Sequence, residues 1–206
     1  MPTYNRKDRL YNQAKEEGYR SRAAYKLLEL DDKFHFFKKS AKVIDLGCAP
    51  GSWLQVVATK VGKNGVVIGI DRLPVVPFAN NHSVDACQPV VLQGDILDPQ
   101  TQAKIIEVSG GKVDVVLSDM SPDLSGVYFR DASNSAELVQ MAFNMACNVL
   151  KVGGAIVTKI FPGQEADEIF KSMQPYYTKL TRETLKSTRT TSKEIYFVGT
   201  GFKGKR

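Results

Sequence analysis

An apolar, β-branched run that ends in an acidic residue and passes at once into a glycine loop constrains this chain more than any other stretch. It reads Val43-Ile44-Asp45-Leu46-Gly47-Cys48-Ala49-Pro50-Gly51-Ser52-Trp53, and a helical pattern opens after it. Strand, tight turn and helix start form the unit from which Rossmann-type sheets are built. Glycine in such a turn lets the backbone approach a nucleoside ligand closely. The spacing narrows the ligand. A dinucleotide site uses G-x-G-x-x-G, with helix-terminal amides facing a pyrophosphate. Here the glycines are Gly47 and Gly51, with Pro50 between them. That spacing suits a cofactor without phosphate, and S-adenosylmethionine is the leading candidate. The alternative is a turn that binds nothing.

Charge is distributed unevenly. Residues 1–42 carry 11 Lys and Arg against 6 Asp and Glu, residues 43–170 carry 8 against 14, and residues 171–206 carry 9 against 2. An acidic body lies between two basic ends. If both ends fold onto one face, they make a track for a polyanion. Tyr4, Tyr11, Tyr19, Tyr25, Tyr176 and Tyr177 are interleaved with the basic residues, which suits RNA, with its phosphates and unstacked bases. The 206 residues fit a single domain with its own core. No apolar N-terminal run marks a leader or a membrane span, so a cytoplasmic protein without a membrane partner is expected. Cys48, Cys87 and Cys147 are widely spaced and suggest neither a disulfide framework nor a zinc site. His35 and His82 read as surface residues, no metal is implied, and a monomer is expected.

The remaining pattern alternates strands and helices, which predicts a mostly parallel α/β sheet. A basic N-terminal helical region, residues 1–41, precedes it, with Ser21 as an N-cap. Expected strands are Lys42–Leu46, Val66–Asp71, Val90–Gly94, Val113–Ser118, Ala155–Phe161, Lys179–Leu185 and Ile195–Gly199. Expected helices lie near Trp53–Val61, Thr101–Val108, Ser135–Leu150 and Glu165–Met173, with Gly153-Gly154 closing the long one. Seven strands in this rhythm fit a Rossmann-like, seven-stranded methyltransferase fold with helices on both faces.

Ligands of open α/β sheets sit past the carboxyl ends of the strands, where several polar residues fall. Asp45 and Gly47 close the first strand. Asp71 closes the second, placed to accept hydrogen bonds from ribose hydroxyls, and Asp95 closes the third, placed to accept from an adenine amino group. Asp119 closes the fourth in Ser118-Asp119-Met120-Ser121-Pro122. Lys159 lies near the end of the fifth in Val157-Thr158-Lys159-Ile160-Phe161. A single acidic strand end is commonly a turn former. A lysine among Ile156, Val157, Ile160 and Phe161 is costly unless it faces a polar cavity.

At these residues the chain resembles the FtsJ/RrmJ (RlmE) family of RNA ribose 2′-O-methyltransferases. The resemblance runs from Arg20-Ser21-Arg22-Ala23-Ala24-Tyr25-Lys26-Leu27 to Glu194-Ile195-Tyr196-Phe197-Val198. It implies a catalytic tetrad of Lys26, Asp119, Lys159 and Glu194. It implies cofactor contacts at Gly51, Trp53, Asp71, Asp95 and Asp119, beside Gly47 of the loop. Ser52 and Ser121 depart from the family's usual glycine and alanine without touching the tetrad. The implied reaction is in-line attack of a ribose 2′-oxygen on a sulfonium methyl, with Lys159 at the centre as base or as orienting cation. The implied substrate is a uridine of large-subunit ribosomal RNA, with tRNA as the second choice. Rival readings are a cap 2′-O-methyltransferase, a non-catalytic RNA-binding assembly factor, and an NAD-dependent oxidoreductase, the last disfavoured by the absent G-x-G-x-x-G.

Overall fold

The computed structural model describes residues 8–78 and 85–205, so Tyr4, Arg6, Lys7 and His82 lie outside the described residues. Strand β1 (Lys42–Leu46) occupies the middle of the sheet. Beside it run β2 (Val66–Asp71) and β3 (Val90–Gln93) on one side, and β4 (Val113–Ser118) and β5 (Leu150–Ile160) on the other. All five are parallel. Strands β6 (Tyr177–Glu183) and β7 (Ile195–Phe202) complete the order β3-β2-β1-β4-β5-β7-β6. Strand β7 inserts between β5 and β6 and runs antiparallel to both. The strand order reverses between β1 and β4, and in open α/β sheets a ligand crevice lies at such a switch point.

Side-chain alternation divides the core into two layers. Val43, Val67, Val115, Val157 and Val198 point to one face, where they meet α2 (Ala24–Phe34) and α3 (Ser52–Val61). Ile44, Ile68, Val116, Ile156 and Phe197 point to the other, where α5 (Tyr128–Val149) and α6 (Gln164–Met173) cover them, with Ile105 of α4 (Pro99–Ser109). Helix α1 (Arg9–Glu16) precedes α2 and buries only Ala14. Leu27 and Leu30 place α2 on α3 with no exposed surface, and truncating either to Ala costs about 2–5 kcal/mol.

Local chemistry explains the boundaries. Asp8 accepts from the Tyr11 amide at the start of α1. Asp98 accepts from the Gln100 and Thr101 amides, with Pro99 at the first helical position of α4. Two expectations are corrected. Ser21 does not cap α2 directly: the cap position is Ala23, while the Ser21 hydroxyl accepts from the Ala23 amide and bonds Ser52. Gly153-Gly154 does not end the long helix. That helix starts seven residues earlier than expected and stops at Val149, because Leu150 turns extended and already pairs with Val113. Gly153, at φ 84°, lies within the register shift between Leu150 and Ala155, as a glycine does where a strand needs positive φ.

Candidate active site

A cavity of about 760 Å³ opens beyond the carboxyl ends of β1, β2 and β4. Gly47, Asp71, Asp95 and Asp119 line it, together with Ile70, Ile96 and Met120. Gly47 sits at φ +73°, and a Cβ there would meet Met120 Cγ at 2.5 Å, so both conformation and space require glycine. The two oxygens of Asp71 accept from the Ala49 and Leu73 amides, each at 2.8 Å. These bonds fix the carboxylate against the loop and leave lone pairs for a further donor. Asp95 is held by the Leu97 amide at 2.9 Å.

Gly51 and Trp53 lie off this wall. Gly51 is the N-cap of α3 at φ +105°. The Arg20 guanidinium closes over it, donating to the Pro50 and Pro77 carbonyls and stacking on Phe78 at 3.9 Å. Trp53 is buried, and its indole N–H donates to the Ala23 carbonyl at 2.8 Å while the ring packs near Tyr196. The ring thereby joins α2 to α3.

At the β4 edge of the cavity the tetrad residues come together in two pairs. Lys159, only 7% exposed, lies on the α2/α3 face of β5. Its Nζ donates to the Asp119 carbonyl at 2.8 Å and lies 3.3 Å from the Asp119 carboxylate. Lys26 of α2 pairs with Glu194, which stands just before β7. Tyr196 joins the two pairs: its hydroxyl donates to Asp119 Oδ1 at 2.8 Å, and Lys26 Nζ lies 5.9 Å from the centre of its ring. Tyr196 is also the register partner of Lys159 across β5 and β7. It was not singled out from the sequence, although its place two residues after Glu194 on a strand puts it on the same face.

Burial on its own would push the Asp119 carboxyl up, but the charges of Lys159 and Lys26 and the Tyr196 hydroxyl outweigh it and hold the group below its ordinary value. The reverse holds at Asp45. It is wholly buried, neither oxygen has a hydrogen-bond partner, and burial with the nearby Asp119 and Asp71 charges pushes it well up.

Several side chains expected at an RNA surface are engaged internally. Arg20 clamps the glycine loop, as above. Arg22 reaches Asp8 and the Ser187 carbonyl. Tyr177 is buried and Tyr176 stacks edgewise on Phe143. Cys48 is buried, as a small apolar residue of the loop. Among the described residues no His, Cys, Asp and Glu cluster is arranged for a metal, and no helix is long and apolar enough to cross a membrane.

A family model described as FtsJ-like methyltransferase matches residues 19–202, which hold every residue of the site. The chain belongs to the FtsJ-like methyltransferase family. It is 44% identical over 93% of its length to ribosomal RNA large subunit methyltransferase E of Caulobacter sp. (strain K31), covering 80% of that protein. It is 41% identical over 97% of its length to the protein of the same name from Methanothermobacter thermautotrophicus, covering 92% of it. A solved structure from Plasmodium falciparum, described as a ribosomal RNA methyltransferase, superposes with a TM-score of 0.77 at 31% identity, covering 91% of this chain and 100% of that one.

Proposed function

We propose that this methyltransferase uses S-adenosylmethionine to methylate a ribose 2′-hydroxyl of large-subunit ribosomal RNA, most plainly a uridine. The observation that carries the reading is the Lys159–Asp119 pair at the rim of the cavity, joined through Tyr196 to Lys26 and Glu194. The relatives named above are ribosomal RNA enzymes, so a tRNA substrate is not favoured. The working picture is one methyltransferase domain, with the described part of the basic N-terminal region, residues 8–41, packed on the catalytic body, acting in the cytoplasm.

The cavity residues fit the cofactor. Asp71 has free lone pairs for two ribose hydroxyls, Asp95 stands at the end of β3 for an adenine amino group, and Gly47 keeps the wall clear of a Cβ. Bound there, S-adenosylmethionine supplies an electrophilic methyl on a positively charged sulfur. The chain's task is to align the attacking oxygen and manage its proton. Two directions of the Lys159 amine are taken up by Asp119. The remaining one donates to the 2′-oxygen and turns a lone pair toward the methyl. It also stabilises the negative charge that grows as the hydroxyl proton passes to water. Asp119 fixes that amine, and Lys26 with Glu194 positions the ribose and its phosphates. Alignment of this kind lowers a barrier by several kcal/mol.

The test is Lys159→Ala. Methyl incorporation into large-subunit ribosomal RNA is expected to fall about 10²–10³-fold, while cofactor affinity by calorimetry stays near wild type. A variant that methylates at the wild-type rate would remove Lys159 from its assigned role.

A further inference from the structure

The connection from β4 to α5 leaves the catalytic edge and exposes an apolar stretch that the pocket does not use. Leu124 and Val127 are exposed, and Phe129, at 85%, is the most exposed large hydrophobic side chain among the described residues. Its neighbour Tyr128 is fixed. The Tyr128 hydroxyl donates to the Pro162 carbonyl at 2.7 Å, just past the end of β5 that carries Lys159. Lys193 Nζ lies 4.7 Å from the centre of the Tyr128 ring. The two rings meet edge to face, with centroids 6.3 Å apart and planes at 72°. Tyr128 is thus braced by the segment after Lys159 and by the residue before Glu194, and it holds Phe129 at an angle that leaves a ring face open.

We propose that Phe129 is a stacking platform for a nucleobase of the substrate RNA, at or next to the methylated nucleotide, with Tyr128 as its brace and Lys193 as the cation for the adjoining phosphate. The inference rests on the RNA-methylation reading above. A 2′-hydroxyl that reaches Lys159 brings its own base and neighbouring bases out of their stacks, which costs stacking free energy. An exposed aromatic face recovers part of that cost whatever the base identity. The contacts of this segment tie it to the chain around three tetrad members: it follows Asp119, is anchored past Lys159, and meets the neighbour of Glu194. A purely protein-binding patch has no need of that anchoring, or of an exposed lysine at its edge.

The experiment compares Phe129→Ala, Phe129→Leu and Phe129→Trp with wild type on undermethylated large ribosomal subunits from cells lacking the protein. Melting curves and cofactor titrations confirm that each variant is folded and binds S-adenosylmethionine. Stacking predicts a fall in kcat/KM for RNA of about 10–100-fold for Ala, a similar fall for Leu, and near-wild-type values for Trp. The indole emission of the Phe129→Trp variant, measured against the buried Trp53 background, should be quenched by the same RNA. Wild-type kcat/KM in the Ala or Leu variant, or indole emission from Phe129→Trp that RNA leaves unquenched, overturns the proposal. So does a loss of self-association by sedimentation with RNA kinetics unchanged, which would assign the patch to a second copy of the chain. If wild type itself transfers no methyl to the subunits, the function reading fails instead.

Discussion

Asp45 shows how one residue sets a pH dependence opposite in sign to its neighbour's. Its folded carboxyl is raised above the ordinary 3.8 by burial and by the Asp119 and Asp71 charges. Above that pH the unfolded chain releases the proton while the folded chain keeps it, so stability falls as pH rises through the window. Asp119 is lowered instead, so its contribution is present at neutral pH and is lost as pH drops through its folded value. We expect Asp45→Asn to gain stability relative to wild type as pH rises above the ordinary carboxylate value, read from denaturant melts in mildly acidic and in neutral buffer. A difference that does not change with pH would mean that Asp45 titrates alike in both states.

Between elements, one carboxylate links the two halves of the tetrad's outer pair. Glu29 of α2 lies one turn from Lys26. Its oxygens accept from the Lys186 amide at 2.7 Å, the Ser187 amide at 3.0 Å and the Ser187 hydroxyl at 2.8 Å. Those residues begin the connection from β6 to β7 that ends at Glu194. The staple keeps Lys26 and Glu194 in register although they belong to opposite ends of the chain. Glu29→Ala leaves two amides without their acceptor; water can replace it at the exposed Lys186 amide, while the loss at the part-buried Ser187 amide is worth about 1 kcal/mol. The expected result is faster hydrogen exchange at Lys186 and Ser187 and about a tenfold lower kcat/KM for RNA, with cofactor affinity unchanged. Unaltered exchange at both amides would show that the connection holds itself. Element boundaries carry a related lesson. Helix α5 outran its expected start because exposed Tyr128 and Phe129 gave no amphipathic signal, although the backbone there is already helical.

For the whole molecule, the basic ends are a long-range electrostatic feature rather than a set of identical contacts. Arg20 and Arg22 hold the loop and the N-terminal segment together, so replacing them reports on folding more than on RNA. Lys186 and Lys193 are exposed on the β6 to β7 connection and remain available to phosphates. RNA affinity is expected to fall linearly in log–log form with salt, and Lys186→Ala should reduce the slope by about 0.7–0.9. Equal slopes for wild type and variant would place the RNA elsewhere.

The sequence alone determined the alternation of strands with helices, because short apolar, β-branched runs bounded by Asp, Gly or turn residues are a local property of the chain. It also marked the cavity wall at Gly47, Asp71, Asp95 and Asp119, since a residue at a strand's carboxyl end faces the crevice whatever packs around it. Only the tertiary structure decided that β7 inserts between β5 and β6, and so that Tyr196 lies opposite Lys159. It alone turned the Trp53 indole into the core and gave Arg20 to the loop. These outcomes depend on partners far away in the chain, and packing and hydrogen-bond satisfaction between distant segments leave no trace in local periodicity.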